Sequence, residues 1–167
     1  LALGGASWPR LGADGGWVET LRATGVDVAP LVASNAGVAV AWSDHIRARF
    51  AGAPLKRIAI TIDGATQRGE AIITTSGLEG GAIYALSPAI RAALARGPAA
   101  ISIDLRPDLT ADVLAARLAR PRGKDTQTNH LRKTLALPPA AIALLRDDTR
   151  GPLPNDAAAI AARIKDV

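Results

Sequence analysis

Serine, histidine and glycine are the residue types through which this sequence could do chemistry. A nucleophile elbow needs Gly-x-Ser-x-Gly on a strand-to-helix turn, so that the hydroxyl stands clear of the backbone. Gly5-Ala6-Ser7-Trp8-Pro9 meets that pattern up to its last position, where proline stands. Trp8 precedes the proline and is steered away from helical dihedrals, so no helix runs comfortably out of Ser7. Ser76, in Thr74-Thr75-Ser76-Gly77-Leu78, lacks the leading glycine. The chain has two histidines, His45 and His130, so a small hydrolase using Ser7 or Ser76 stays open on paper. Neither histidine has a His, Cys or carboxylate pair at helical ligand spacing. Each reads as a surface or helix-end residue, and neither a metal site nor a catalytic residue is assigned.

Phosphate chemistry fares little better. Gly64-Ala65-Thr66-Gln67-Arg68-Gly69 has the glycine spacing of a phosphate loop, but Glu70-Ala71 follows where Lys-Ser/Thr is needed. A carboxylate there repels phosphate, so the segment reads as a hairpin. No two glycines stand two residues apart, which excludes the Gly-x-Gly-x-x-Gly dinucleotide fingerprint from this chain. Ser76-Gly77-Leu78-Glu79-Gly80-Gly81 precedes a helix, whose free N–H groups favour anions. Glu79 sits in the same turn and could satisfy those N–H groups itself, and tight packing of strand against helix is the favoured account of the glycines. Arg117, Arg120, Arg122, Lys124, Arg132 and Lys133 cluster around His130 with a single acid, Asp125. Such a patch would suit a stand-alone polyanion- or nucleic-acid-binding module. It holds no aromatic for base stacking, which weakens nucleic acid as a partner.

The elements that would position these residues change character along the chain. Gly15–Thr24 reads as a short helix with Trp17, Val18 and Leu21 on one face, stopped by Gly25. Two strands are expected around 27–33 and 37–42. Ser43 then caps a short helix that ends at Gly52. Lys56–Ile62 is the clearest strand, with Ile58, Ile60 and Ile62 on one face. Asp63-Gly64 is a hairpin turn signal, and Gln67–Thr75 returns. Ile83, Leu86, Ile90 and Leu94 form a helical stripe interrupted by Pro88, so one kinked helix or two pieces fit. Ala99–Leu105 is a further strand. After Pro107 come short helices, the first capped by Thr110. The fold class read from this is α+β: a small mixed β-sheet or barrel-like region followed by a short-helix bundle.

The 167 residues suffice for a real core, and 49% are apolar, which describes a globular chain. Aromatics are only 3%, so the core is light. The absence of cysteine excludes a disulfide scaffold, a thiolate metal site and a Cys nucleophile, and fits a cytoplasmic setting. No stretch approaches the roughly 18 apolar residues of a membrane span. The net charge is +5 and methionine is absent, even at position 1, which favours excision from a longer chain.

Three segments carry a resemblance. Gly4-Gly5-Ala6-Ser7-Trp8-Pro9 through Trp17 resembles the Gly-Gly-x-Ser-x-Pro-x-x-Gly-(Ser/Thr)-x-Gly-x-Gly segment of the BaiN-like, aminoacetone-oxidase-like bacterial FAD-binding flavoproteins. Gly4, Gly5, Ser7, Pro9, Gly12 and Gly15 match, while Ala13 and Trp17 depart from the pattern. Thr74, Gly77, Leu78 and Gly80 match a second family stretch, with Glu79 and Gly81 in place of Ser and Pro. Asp104, Leu105, Pro107 and Asp108 match a third. The resemblance implies an inserted domain, cut from a FAD-dependent oxidoreductase whose FAD-binding halves lie elsewhere. It implies a stub and linking helix at 1–26, a β-rich barrel-like region with one helix at 27–107, and a helical subdomain at 108–167. In the intact parent, Gly4, Gly5, Ser7 and Pro9 would lie near FAD, and no cofactor would bind the fragment alone. Leu1-Ala2-Leu3 would end a buried parallel strand. The implied partners are the FAD-binding domain of the same chain and a small-molecule substrate, with no membrane.

Overall fold

In the computed structural model of the chain, residues 3–147 and 151–167 are described. They form two compact units, Leu1–Ala33 and Ser34–Val167.

The first unit holds a 3-10 turn at Pro9–Leu11 and one helix, α1 (Trp17–Ala23). Gly25, at φ +83°, follows the helix. Its N–H donates to Arg22 O, and Val26 N–H donates to Leu21 O, which together close the helix as a Schellman motif. Val18 is the buried residue of α1. Leu1 and Ala2 of the expected buried strand lie outside the described residues, and Leu3 is exposed and outside any strand. The strand expected around 27–33 does not form either. Its β-branched residues have no neighbouring strand to complete a ladder, and Val26, Leu31 and Val32 are exposed.

The second unit is α+β. Its sheet has five strands: β1 (Val38–Ala39), β2 (Pro54–Ile62), β3 (Ala65–Ile73), β4 (Gly77–Glu79) and β5 (Ser102–Asp104). Their order is β1-β4-β3-β2-β5 and every pairing is antiparallel, so the sheet is open, with β1 and β5 at its edges. The hairpin expected at Asp63-Gly64 is present. Both residues take positive φ, +48° and +78°, the twist that joins β2 to β3 most tightly. The expected alternation of β2 holds, with Ile58, Ile60 and Ile62 buried. Of the segment expected at 37–42, only Val38–Ala39 is strand. Ile103 on β5 exchanges backbone hydrogen bonds with Val167, so the C-terminal residue extends that edge.

Among the described residues, seven helices complete this unit: α2 (Asp44–Phe50), α3 (Gly81–Ala85), α4 (Ser87–Leu94), α5 (Ala111–Leu118), α6 (Gln127–Leu135), α7 (Pro139–Asp147) and α8 (Ala157–Lys165). The stripe interrupted by Pro88 is two helices rather than one kinked helix, and they meet at Leu86. Pro88 lacks the N–H that a continuous helix would need there. Ser87 is already the first helical residue and caps nothing. Ser43, Thr110, Thr126 and Asp156 each accept a hydrogen bond from the backbone N–H three residues on, so four helices start where a side-chain oxygen meets an orphan donor. The apolar faces of sheet and helices share one core. Ile46, Ile60, Ile83, Leu105, Leu114, Leu131, Leu145 and Ile164 are fully enclosed in it. α7 runs through this core, buried at every position from Ala140 to Leu145.

Candidate functional site

Gly4 and Gly5 are exposed, and a Cβ on either would meet nothing within 4 Å. Gly4 sits at φ +75°, a conformation that L side chains rarely adopt. The backbone here is therefore uncovered. Ser7 follows at an exposed bend. Pro9 opens the 3-10 turn, and Trp8 and Ala13 close it by exchanging backbone hydrogen bonds of 3.1 Å each. Pro9 thus fixes the path by which the chain leaves Ser7. Gly15 has a packing role instead: a Cβ there would meet Ala6 Cβ at 3.0 Å and Leu31 Cδ1 at 3.2 Å.

The second glycine-rich segment is structural. A Cβ on Gly77 would stand 1.8 Å from Val38 O, because β1 packs tightly alongside it as the antiparallel partner of β4. Trp42 Nε1 donates to Gly77 O at 3.1 Å, and Val40 N–H donates to Ser76 O at 2.9 Å. Ser76 itself is exposed. His45 lies edge-on to Phe50, with ring centroids 5.6 Å apart. His130 is buried, not on the surface. Its Nε2 lies 3.1 Å from Leu118 O and its Nδ1 3.4 Å from Thr134 Oγ1, tying the end of α5 to α6. Both ring nitrogens are thus occupied away from Ser76. Among the described residues no group of three or more His, Cys, Asp or Glu could hold a metal ion.

The basic run from Arg117 to Lys133 does not act as one patch. Lys133 Nζ is held by both oxygens of Asp125 at 2.9 Å. Arg117 belongs to a different surface, a cleft of about 530 Å³. Pro54, Lys56 and Arg57 of β2 form one wall, and Arg106, Asp108 and Leu109 of the β5–α5 turn form another. Arg117 of α5 and the α6–α7 link from Leu135 to Pro138 complete it. Of the third matched segment, Asp104, Leu105, Pro107 and Asp108, Asp108 lines the cleft, and Leu105 is buried behind it in the core.

Each polar group of that segment has a defined task. Lys165 Nζ pairs with Asp104 Oδ2 at 2.5 Å and donates to Leu109 O at 2.8 Å, which pins the turn to α8. Arg106 donates to the carbonyls of Leu105, Leu135 and Ala136 and so caps the carboxyl end of α6. Asp108 takes Arg57 on one oxygen at 3.0 Å and Arg68 on the other at 2.9 Å. The hydrogen bond from Arg57 draws the Asp108 carboxyl below its ordinary range, and the Arg68 charge adds to that. Arg106 moves down from its ordinary value, chiefly by burial and then by the neighbouring Arg57, against the opposing pull of Asp108.

Sequence reasoning identified Asp108 but not Arg57, Arg68 or Lys56. The register of β2 changes between Leu55 and Ile58, and this bulge leaves Arg57 at φ +55°. Two basic residues immediately before an alternating isoleucine run were the available signal, since a strand that opens on Lys-Arg projects charge at its end.

Among the described residues no helix is long and apolar enough to cross a membrane. The chain matches no curated protein. A family model described as "HI0933-like protein barrel and H2TH domain" matches residues 32–167. The matched region begins two residues before the second compact unit and runs through all of it.

Proposed function

The chain belongs to the HI0933-like barrel and H2TH domain family, which is part of a family of FAD-binding flavoproteins, and from that premise we propose that it is the inserted, substrate-side domain of a FAD-dependent oxidoreductase. The observation that carries this reading is the pairing of the family match with the open glycine segment ahead of it. Gly4 and Gly5 present bare backbone, and the Ser7 hydroxyl and the Pro9 turn follow within five residues. Those residues suit the edge of a flavin, and they do not form a pyrophosphate cradle, since the dinucleotide fingerprint is absent from the sequence. When bound in the parent, the flavin supplies hydride transfer.

The chain's own part is positional. Gly4 and Gly5 allow close approach, Ser7 offers one hydroxyl as donor or acceptor, and Pro9 holds the exit path. The role proposed for the inserted domain in the parent is to cover the flavin, exclude water and shape the pocket for a small-molecule substrate. The domain alone turns over nothing. Its partner is the FAD-binding domain of the same protein, its setting is the bacterial cytoplasm, and neither membrane nor nucleic acid is required.

The test is to compare the 167-residue chain with the protein extended by its flanking coding sequence. The extended protein is expected to purify with flavin absorbance and the shorter chain without it. An extended protein that encodes no Gly-x-Gly-x-x-Gly segment and carries no flavin overturns the reading.

A further inference from the structure

We propose that the cleft between the β2 bulge and the α6–α7 link binds a small organic anion, a carboxylate or phosphate carried on an apolar body. Four cations line it, Lys56, Arg57, Arg106 and Arg117, against one carboxylate, Asp108. Asp108 is already engaged by Arg57 and by Arg68 from β3. Arg106 points its donors at three backbone carbonyls. Lys56 and Arg117 have no hydrogen-bond or ion-pair partner among the described residues. The cleft therefore holds more positive charge than its own groups neutralise, and an oxyanion is the group that completes it.

The backbone supports the same reading. Arg57 is not glycine, Asn or Asp, yet its φ is +55°, a conformation that L residues rarely adopt. Bulges re-aim side chains beside binding sites, and strain of this kind persists where the surroundings over-determine it. Here the bulge turns Arg57 toward Asp108 and the cleft instead of along the ladder.

The other walls set the body of the ligand. Pro54, Leu109, Leu135, Ala136 and Pro138 are apolar. A volume of about 530 Å³ falls within the range of small-molecule pockets, roughly 300–1,000 Å³. No aromatic side chain lines the cleft for base stacking, which favours a compact anion over a nucleic-acid strand. The proposal concerns residues 54–138 and stands independently of the flavin reading.

The experiment is a titration of the isotope-labelled 167-residue chain, at fixed salt, with phenyl phosphate, benzoate and inorganic phosphate, followed by amide chemical shifts. Saturable shifts at Arg57, Asp108, Arg117 and Ala136 are expected with at least one organic anion. Its affinity should exceed that of inorganic phosphate by about tenfold or more, since the apolar walls add contact area. The tighter of the two organic anions identifies the oxyanion. Replacing Lys56 and Arg117 together by alanine removes two unpartnered surface side chains and should weaken binding about tenfold or more. The paired change Lys124→Ala with Arg132→Ala, also on the surface, should leave it unchanged, and the amide spectrum of each variant reports its fold. The proposal is overturned by absence of saturable shifts with both organic anions, by equal affinity for inorganic phosphate, or by equal weakening in the two double variants.

Discussion

Arg57, on the left-handed bulge of β2, donates a hydrogen bond to Asp108 across 3.0 Å and fifty-one residues of sequence. The contact joins a strand to the turn before α5, and Arg68 reaches the second oxygen of the same carboxylate from the neighbouring strand. Asp108 is half exposed, so each pair alone is a modest contributor. Their shared acceptor makes them a unit.

The first prediction concerns acid. The folded chain holds the Asp108 carboxyl below its ordinary range. A carboxylate with a depressed folded value stabilises the fold fully above its unfolded value, roughly pH 3.9, and that contribution is lost as pH falls through the folded value. Asp108→Asn should therefore lower the thermal midpoint at neutral pH, and the gap to the parent should narrow below about pH 4. Thermal unfolding across that range checks it. A gap that is constant with pH would show that the carboxylate charge contributes nothing.

The second prediction separates two glycines four residues apart. A Cβ at Gly77 would lie 1.8 Å from Val38 O, a backbone atom that cannot move without dislodging β1. Gly77→Ala should cost about 3 kcal/mol or release β1 from the sheet edge. Gly81 opens α3 with open space around it. Gly81→Ala should be neutral or stabilise by about 0.5–1 kcal/mol, because alanine loses less backbone freedom in a helix. Denaturant unfolding of the two variants checks the contrast, and equal effects would remove the packing explanation of the Gly77 segment.

The third prediction uses the end of α6. Ala136 closes that helix at φ +51°, ψ +33°, the left-handed conformation that glycine takes at little cost. Ala136→Gly should stabilise the chain by about 0.5–1 kcal/mol, the relieved strain exceeding the added freedom of the unfolded chain. The Ala136 carbonyl accepts from Arg106, and a backbone carbonyl survives this substitution. A destabilised variant would show that the alanine methyl packs in a way that outweighs its strain.

These expectations also mark how much the sequence made legible. Local chemistry carried well: Ser43 and Thr110 cap the helices assigned to them, Asp63-Gly64 turns the hairpin, and Gly25 closes α1. Each of those signals is complete within five residues. The strand expected around 27–33 is absent because β-branched residues make a strand only where another strand pairs with them, and pairing is not local. The cationic cleft was invisible for the same reason. Its walls come from β2, the β5–α5 turn, α5 and the α6–α7 link; the β2–β5 pairing sets the first beside the second, and the bulge aims Arg57 at it. Asp108 was found through its motif. The partners that give it a purpose, Arg57 and Arg68, lie 51 and 40 residues away.

The fourth prediction tests what the arginine inside that motif does. Arg106 donates through Nε to Leu135 O at 3.0 Å, through Nη1 to Leu105 O at 2.8 Å and through Nη2 to Ala136 O at 2.5 Å. Three acceptors in different directions need the planar, five-donor guanidinium fork. A lysine ammonium is a compact point charge and cannot span them. Arg106→Lys should therefore keep the charge of the cleft but lose about 2 kcal/mol of stability, by leaving the last carbonyls of α6 without their donor. The loss should be concentrated in faster amide exchange over the final turn of α6. Arg120→Lys, on an exposed side chain with no partner among the described residues, is the matched control and should change neither quantity. If Arg106→Lys also changed neither, the guanidinium would be present for its charge alone. The cap on α6 would then have to come from water.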